Sequence, residues 1–198
     1  MKTGPAVGLA AAAVLCASAP AHAAQLTVID VGAPAVNCVF SPICNVIVND
    51  SVGSLQFTPY GAGAFLQSRT YSGLAGTPGA GLTVYEYRLD MTQALGFTEC
   101  VAGLVVNFGP VVKLPYPPNQ QQAHAFVIVQ GGLGTVGIES AEQDGGVITF
   151  TFKSYLCPGA STHFFGMAAP KAAQGTTAVL FKYGTPPFYE VNARAPQH

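Results

Sequence analysis

The alternation of apolar and charged positions is clearest in residues 82–91, where it predicts a β-strand, because successive side chains of a strand point to opposite faces. One face carries apolar and aromatic side chains, namely Tyr85, Tyr87, Leu89 and Met91. The other face carries Glu86, Arg88 and Asp90. Such a strand is typical of a sheet with one face in water. We therefore expect the three charged side chains to form a surface ion network of small energetic value.

Other β-prone runs, separated by Gly, Pro and Asn, follow along the rest of the chain. Residues 147–155 repeat the alternation, and the preceding Asp144-Gly145-Gly146 predicts a tight turn from another strand. Residues 114–122 are rich in Pro and Gln, which predicts an extended surface loop. Continuous apolar runs predict central strands at 101–108, 126–129 and 178–181. Weaker strands are predicted at 26–31, 45–48, 54–58, 65–71, 162–167 and 189–193.

These short, frequent strands predict an all-β fold. We expect a two-sheet antiparallel sandwich, of jelly-roll or immunoglobulin-like type, stabilised by disulfides. A bacterial outer-membrane β-barrel is the alternative, and it is disfavoured because it needs strands of about 9–11 residues, which is longer than many of these runs. No repeat or long linker divides the sequence, so residues 24–198 are expected to form a single β-sandwich domain.

The first 23 residues have the pattern of a cleavable signal peptide. Lys2 precedes an uncharged, Ala-rich run over residues 5–19, which is shorter than the roughly 20 residues that a spanning helix needs. Ala21-His22-Ala23 supplies the small residues that signal peptidase requires, so cleavage is expected after Ala23. A lipoprotein anchored through Cys16 is disfavoured, because Leu15 precedes it where Gly, Ala or Ser is required. The protein is expected to be secreted or periplasmic, without a membrane span.

Charge and composition narrow the range of partners. Only 9% of the residues are charged and the net charge is −1, so no basic surface is expected to attract nucleic acid or anionic lipid. An apolar content of 49% is high enough to bury a core and argues against disorder.

Removal of the signal leaves four cysteines: Cys38, Cys44, Cys100 and Cys157. An even number in an oxidising compartment predicts two disulfides, with three connectivities formally open. We favour Cys38 with Cys44, because the Pro in residues 39–43 favours a turn, and Cys100 with Cys157, which joins two predicted strands. A zinc site is disfavoured because the spacings lack its close pairs.

Residues 132–137, Gly-Leu-Gly-Thr-Val-Gly, match the dinucleotide-binding fingerprint letter for letter. That function needs a following helix whose N-terminus receives the pyrophosphate. Because another predicted strand follows, we expect a glycine-rich hairpin or bulge and no bound cofactor.

The sequence assigns no catalytic, ligand-binding or metal-binding residue. It contains no Gly-x-Ser-x-Gly motif, and His124 and His163 are isolated, which favours structural or surface roles. Glu139, Glu142 and Asp144 are close in sequence, and solvated loop carboxylates are favoured over a calcium site. The remaining catalytic option is a glycosidase-type pair formed by carboxylates that are distant in sequence. Candidates for that pair are Glu86 with Glu99 or Glu190.

Residues 100–110 and 126–135 resemble the sandwich domains of proteobacterial exported exoproteins that end in a sorting tail of the PEP-CTERM-like kind. The sequence departs from that pattern because it ends at Pro196-Gln197-His198, without the apolar helix and basic stop. The resemblance therefore implies free release, and it carries over no site residue.

Together these features predict a secreted, non-catalytic β-sandwich that acts by surface contact in a matrix, envelope or adhesive role. Its expected partners are a second copy, a cell-surface component or an extracellular polymer, and not nucleic acid. An extracellular hydrolase acting on a polysaccharide or another polymer is the alternative function.

Overall fold

The computed structural model describes residues 23–32, 39–40, 63–94, 96, 98–131, 133–181 and 189–197, together with the backbone of residues 46–55. This part of the chain forms fourteen β-strands and no α-helix. Two six-stranded sheets and a two-stranded hairpin account for all of them. The predicted all-β, two-sheet architecture is confirmed.

The strands of the first sheet come from both ends and the middle of the sequence. In spatial order they are β1 (Ala24–Leu26), β10 (Ile138–Asp144), β11 (Val147–Leu156), β6 (Val101–Asn107), β13 (Ala173–Phe181) and β14 (Tyr189–Pro196).

The second sheet consists of β2 (Val28–Gly32), β9 (Ala125–Gln130), β12 (Phe164–Ala169), β5 (Thr83–Asp90), β4 (Ala64–Ser72) and β3 (Val46–Leu55), again in spatial order. Strands β2 and β9 run parallel, so the second sheet is mixed and not fully antiparallel as predicted. The chain passes from the first sheet to the second at Thr27, between β1 and β2. Each of these two consecutive strands forms an edge of its sheet.

An apolar core fills the space between the two sheets. Its largest side chains meet edge to face across the sandwich, with ring centroids 5.1 Å apart for Tyr85 and Phe108 and 4.9 Å apart for Phe150 and Phe165. Each fully buried large apolar side chain contributes on the order of 1.5–3 kcal/mol. Strand β11 shows the predicted alternation, because Ile148, Phe150 and Phe152 are buried in this core while Thr149, Thr151 and Lys153 are not.

A second apolar cluster covers the outer face of the second sheet, which is the face turned away from the first sheet. Its members include Val39, Tyr116, Phe126 and Phe164. This cover corrects the prediction for β5: Glu86, Arg88 and Asp90 are all buried and do not face water. Because this sheet is covered on both sides, both sets of β5 side chains are buried. The apolar set lies in the core between the sheets, and the polar set lies on the outer face.

The proline-rich segment contributes to that cover. Residues 114–122 were expected to form an extended surface loop, but they form most of a hairpin of β7 (Leu114–Tyr116) and β8 (Gln121–Ala123). Leu114, Tyr116 and Ala123 are buried against the second sheet. The apolar side chains at alternate positions explain the difference, since they place one face of the hairpin on the sheet while the Gln residues stay in water.

The disulfide between Cys100 and Cys157 is confirmed, with sulfur atoms 1.97 Å apart and Cα atoms 4.2 Å apart. It joins the residue before β6 to the residue after β11, two neighbouring strands of the first sheet. Cys38 and Cys44 lie outside the described residues, so their pairing stays a prediction.

Strand β1 begins at Ala24, the first residue after the predicted cleavage site. Cleavage there would leave the pairing of β1 with β10 intact. Among the described residues, no helix has the length and apolar character needed to cross a membrane.

Candidate functional site

Five polar side chains form a group on the outer face of the second sheet, here called the charged cluster: Arg69, Tyr71, Glu86, Arg88 and Asp90. All of them are buried except Arg69, which is half-buried. They come from the neighbouring strands β4 and β5, whose register places Arg69 directly opposite Glu86. Opposed residues in an antiparallel pair have Cβ atoms about 4.5–5.5 Å apart, so opposite charges interact there. Alternation in both strands thus directs complementary charges to one face.

Glu86 is fully buried and is hydrogen-bonded through one of its two oxygens. The Tyr71 hydroxyl donates to Glu86 Oε1 over 2.8 Å and accepts from the Val39 backbone N–H over 3.2 Å. Burial raises the pKa of Glu86 to about 8, although the Tyr71 hydrogen bond and the Arg69 charge act to lower it. The carboxyl is therefore mostly protonated at neutral pH.

Asp90 keeps its charge and holds Arg88 in place. Its Oδ2 lies 2.7 Å from Arg88 Nη2, which also donates to Ser161 Oγ over 3.0 Å. Burial acts to raise the pKa of Asp90, but two hydrogen bonds from Thr92 and the Arg88 charge outweigh it and lower the pKa. Arg88 is thus neutralised locally, while Arg69 faces a carboxyl that is mostly uncharged.

The Arg69 guanidinium lies over an aromatic ring at the half-exposed side of the cluster. Its Cζ is 4.3 Å from the centroid of Phe164, and Arg88 Cζ is 5.8 Å from the same centroid. A cation over an aromatic face gains about 0.5–2 kcal/mol, more as it becomes desolvated. With its amide oxygen turned towards Arg69, Gln67 accepts from Nε over 2.9 Å and from Nη2 over 2.7 Å.

Within the described part of the chain, three buried side-chain atoms on this face have no hydrogen-bond partner: Glu86 Oε2, Arg88 Nε and the Tyr116 hydroxyl. The Tyr116 ring packs against Phe126, with centroids 5.4 Å apart. Phe126 in turn reaches to within 3.0 Å of where a Cβ of Gly166 would stand, and Gly166 is the residue opposite Glu86 on β12. Tyr116, Phe126 and Glu86 therefore lie on the same face of the second sheet.

The structure does not bring the two histidines together. The register of β9 with β12 places His124 and His163 at opposite ends of these strands, about 16 Å apart along the strand direction. His124 Nδ1 accepts the Thr27 N–H over 3.1 Å at the point where the chain changes sheet. Burial lowers the pKa of both histidines. His124 thus has a structural role.

The carboxylates named from the sequence are also dispersed. Glu86 points away from the first sheet, whereas Glu190 is an exposed residue of β14 in that sheet. Glu99 accepts from the Tyr189 hydroxyl over 2.8 Å, at the start of the same strand. The proposed pairing of Glu86 with either residue is therefore not formed.

Glu139, Glu142 and Asp144 are spread along β10 and do not meet at a turn. Among the described residues, no group of His, Cys, Asp and Glu side chains is arranged to hold a metal ion.

The glycine motif leads into β10 and not into a helix, as predicted from the strand that follows it. It connects β9 of the second sheet to β10 of the first, so it is a crossover and not a hairpin. Gly134 has φ of +102°, and a Cβ there would lie 2.0 Å from the Thr162 carbonyl oxygen. Close backbone approach explains this glycine.

Comparison with known protein families, curated proteins and solved structures found no match to this chain.

Proposed function

We propose that the protein is exported and acts without catalysis, by contact between the outer face of its first sheet and a neutral extracellular polymer. Export is supported by the signal-peptide pattern and by the disulfide, which persists in oxidising compartments. The proposed contact surface is supported by one row of side chains that crosses the outer face of the first sheet.

That row runs over five adjacent strands and is continuous. In order it contains Glu142, Thr149, Val105, Val179 and Glu190, each opposite the next in the strand register. With strands about 4.8 Å apart, the two carboxylates stand about 19 Å from each other. All five side chains are at least partly exposed.

The middle of the face is uncharged and presents short side chains. Thr151 lies beside Thr149 on β11, and Thr177 lies beside Val179 on β13, each two residues along the strand and so on the same face. Threonine supplies a hydroxyl that both donates and accepts, together with a methyl group. A sheet face of this composition suits a polymer with hydroxyl groups and apolar ring faces, such as a neutral polysaccharide.

Charge argues against two other partners. The border carboxylates Glu142 and Glu190 disfavour an anionic polymer, since like charges in apposition oppose association. A cationic partner would gain little, because the centre of the row carries no charge. Binding is therefore expected to depend weakly on salt, which screens charge and not apolar contacts.

The experiment is a retention assay on insoluble cellulose and chitin with the mature protein. Thr149→Lys places a long charged side chain in the middle of the row and is expected to weaken binding at least tenfold, or about 1.4 kcal/mol. Gln121→Lys is the matched control, because it adds the same charge at an exposed position of β8, on the opposite side of the sandwich. Added sodium chloride is expected to change binding by less than about threefold.

Equal binding of both variants would contradict the proposal. Loss of self-association in Thr149→Lys, measured by sedimentation with no effect on polymer retention, would identify a second copy as the partner instead.

The alternative, an extracellular hydrolase, draws on the raised pKa of Glu86, since perturbed carboxyls are frequent at catalytic sites. The separation of His124 from His163 and of Glu86 from Glu190 gives it less support. Loss of polymer turnover in Glu86→Gln with the fold intact would establish it.

A further inference from the structure

We propose that Phe181 is the stacking residue of the contact surface on the first sheet, and that this surface binds β-linked chains of glucose-type pyranoses through their apolar ring faces. This assignment rests on the proposed function, because it gives a ligand class and a specificity-determining residue to the same surface. It is supported by a second row of residues that lies beside the row described above.

The second row crosses four strands of the first sheet. In strand order it contains Ser140, Thr151, Gly103 and Phe181, each opposite the next in the register. Phe181 points away from the core, because the preceding Leu180 is fully buried in it. Each member stands two residues along its strand from a member of the first row, so the two rows lie side by side on the outer face.

The Phe181 ring lies over the backbone of β6 at Gly103. A Cβ at Gly103 would stand 2.5 Å from both Cε1 and Cζ of Phe181, so any side chain at this position would displace the ring. Phe181 is partly exposed in this position. The glycine therefore allows an aromatic ring to lie against the sheet, where a ligand on the outer face meets it.

The hydroxyls of the second row lie within reach of a ligand on that ring. Since neighbouring strands are about 4.8 Å apart, Thr151 stands about 5 Å and Ser140 about 10 Å from Gly103 across the sheet. Both side chains are partly exposed, and a hydroxyl both donates and accepts hydrogen bonds. A sugar placed over Phe181 can thus continue as a chain across β6, β11 and β10, towards these two hydroxyls.

The charge of this part of the surface complements a neutral ligand. The second row itself carries no charge. Lys153 follows Thr151 on the same face of β11, and its Nζ lies 3.1 Å from Asp30 Oδ2, which balances its charge. Glu142, at the end of the first row, would repel an anionic sugar. A neutral polysaccharide therefore fits better than a charged one.

The aromatic ring selects among neutral polysaccharides. The face of an aromatic ring is negative, so it attracts the C–H groups of a ligand. In a β-linked glucose-type chain the hydroxyls and the linkages are equatorial, so each sugar presents a broad face of C–H groups. An α-linked chain such as dextran is flexible and does not hold successive ring faces in one plane. Cellulose and chitin are therefore expected to bind, and dextran is not.

The first experiment compares Phe181→Leu with Phe65→Leu in retention on insoluble cellulose and chitin. Both variants replace a partly exposed phenylalanine, but Phe65 lies on β4, on the outer face of the second sheet. Phe181→Leu is expected to weaken retention about fivefold or more, because the aromatic contact is lost. Phe65→Leu is expected to bind as the wild type does. Circular dichroism checks that both variants fold.

The second experiment uses the fact that the sequence contains no tryptophan. Phe181→Trp keeps an aromatic platform and introduces a single indole, whose fluorescence reports on this position alone. Cellohexaose is expected to shift the emission and to protect the indole from quenching by acrylamide, both in a saturable way. Dextran at the same sugar concentration is expected to leave both signals unchanged.

Full retention by folded Phe181→Leu would overturn the role of Phe181, and a lower unfolding temperature of that variant would then show that the ring only packs on Gly103. Should Phe181→Leu fail to fold, an indole in Phe181→Trp that does not respond to cellohexaose would overturn it instead. An equal response to cellohexaose and dextran would overturn the ligand class.

The variant Thr149→Lys separates this inference from the proposed function. If Thr149→Lys loses retention while Phe181→Leu keeps it, the contact surface stands and the stacking residue is wrong. If Thr149→Lys also keeps full retention, the proposed function itself is contradicted.

Discussion

The Tyr71 hydroxyl donates a 2.8 Å hydrogen bond to Glu86 Oε1, while Oε2 of the same carboxyl has no partner among the described residues. Tyr71 also accepts from the backbone of Val39, so a single hydroxyl links the cover of the second sheet to the carboxyl beneath it. Protonation of Glu86 therefore connects the stability of the fold to pH.

Glu86→Gln is expected to remove a decline in stability between about pH 4.5 and pH 8. The pKa of Glu86 is raised from 4.5 to about 8 in the fold, so between these values the folded state holds a proton that the unfolded state has released. The stabilisation is complete below about pH 4.5 and is lost as the pH rises through 8. The total is at most about 5 kcal/mol at 1.36 kcal/mol per pKa unit.

Urea unfolding at pH 5, 7 and 9 measures this dependence. In the wild-type protein the Glu86 carboxyl is expected to lower the free energy of unfolding as the pH rises from 5 to 9. The Glu86→Gln variant should not show this decrease. Parallel profiles for the two proteins would mean that the carboxyl titrates near its ordinary value.

Tyr71→Phe and Tyr116→Phe remove the same hydroxyl from two buried tyrosines and should have different effects. The Tyr71 hydroxyl makes two hydrogen bonds, so its loss leaves a carboxyl oxygen and the Val39 N–H unpaired and should cost about 1–3 kcal/mol. The Tyr116 hydroxyl has no partner in the part of the chain that the structure describes, so Tyr116→Phe should be neutral or stabilising. Thermal unfolding at pH 7 distinguishes the two, and equal costs would contradict the hydrogen-bond assignment.

Gly166→Ala is expected to destabilise the second sheet, and Gly175→Ala is its matched control. A Cβ at Gly166 would lie 1.9 Å from the Tyr85 carbonyl oxygen and 3.0 Å from the Phe126 ring, whereas Gly175 in β13 has nothing within 4 Å. Backbone cannot yield without breaking the pairing of β12 with β5, so a cost above about 2 kcal/mol is expected. Similar unfolding midpoints for the two variants would show that the strands can separate at little cost.

The strand β5 shows what local sequence can and cannot predict. Backbone geometry decides which of its side chains share a face, and that part of the prediction was correct for Glu86, Arg88 and Asp90. What lies against that face depends on residues 39–40 and on the hairpin at 114–123, which are distant in sequence. The prediction of a wet face failed because alternation does not report what covers a sheet.

The charged cluster nevertheless left a signal in the sequence. Gln67, Arg69 and Tyr71 alternate with small or apolar residues in β4, and the next strand places Glu86 and Arg88 at matching positions. Complementary polar residues on two consecutive strands indicate a shared polar face. The register that sets Arg69 opposite Glu86 depends on the turn at residues 73–82, whose geometry the pattern does not specify.

The disulfide between Cys100 and Cys157 is expected to contribute to stability through the unfolded chain. The two cysteines are 57 residues apart, and closing a loop of that size corresponds to about 4 kcal/mol in the chain-entropy description. The double variant Cys100→Ser with Cys157→Ser should unfold at a correspondingly lower urea concentration. An unchanged midpoint would indicate that the first sheet restricts this part of the unfolded chain without the bond.

His124 Nδ1 accepts the Thr27 N–H where the chain passes from β1 to β2. Burial first, and then the Lys113 charge, lower the pKa of His124 from its usual 6.5. As the pH falls below about 6.5 the unfolded chain takes up a proton that the folded chain resists, so stability should decrease with acidification.

His124→Asn keeps an acceptor near the position of Nδ1 and should retain stability at pH 7 while losing this contribution to acid sensitivity. His124→Ala removes the acceptor and should cost about 0.5–2 kcal/mol at pH 7. Since His163 also has a lowered pKa, the measurement is made in a His163→Gln background, where any remaining histidine dependence in the described part of the chain belongs to His124. If His124 acts only through this hydrogen bond, polymer retention by folded His124→Asn will equal that of the wild type, and a loss of binding in His124→Asn would instead give the histidine a direct role in function.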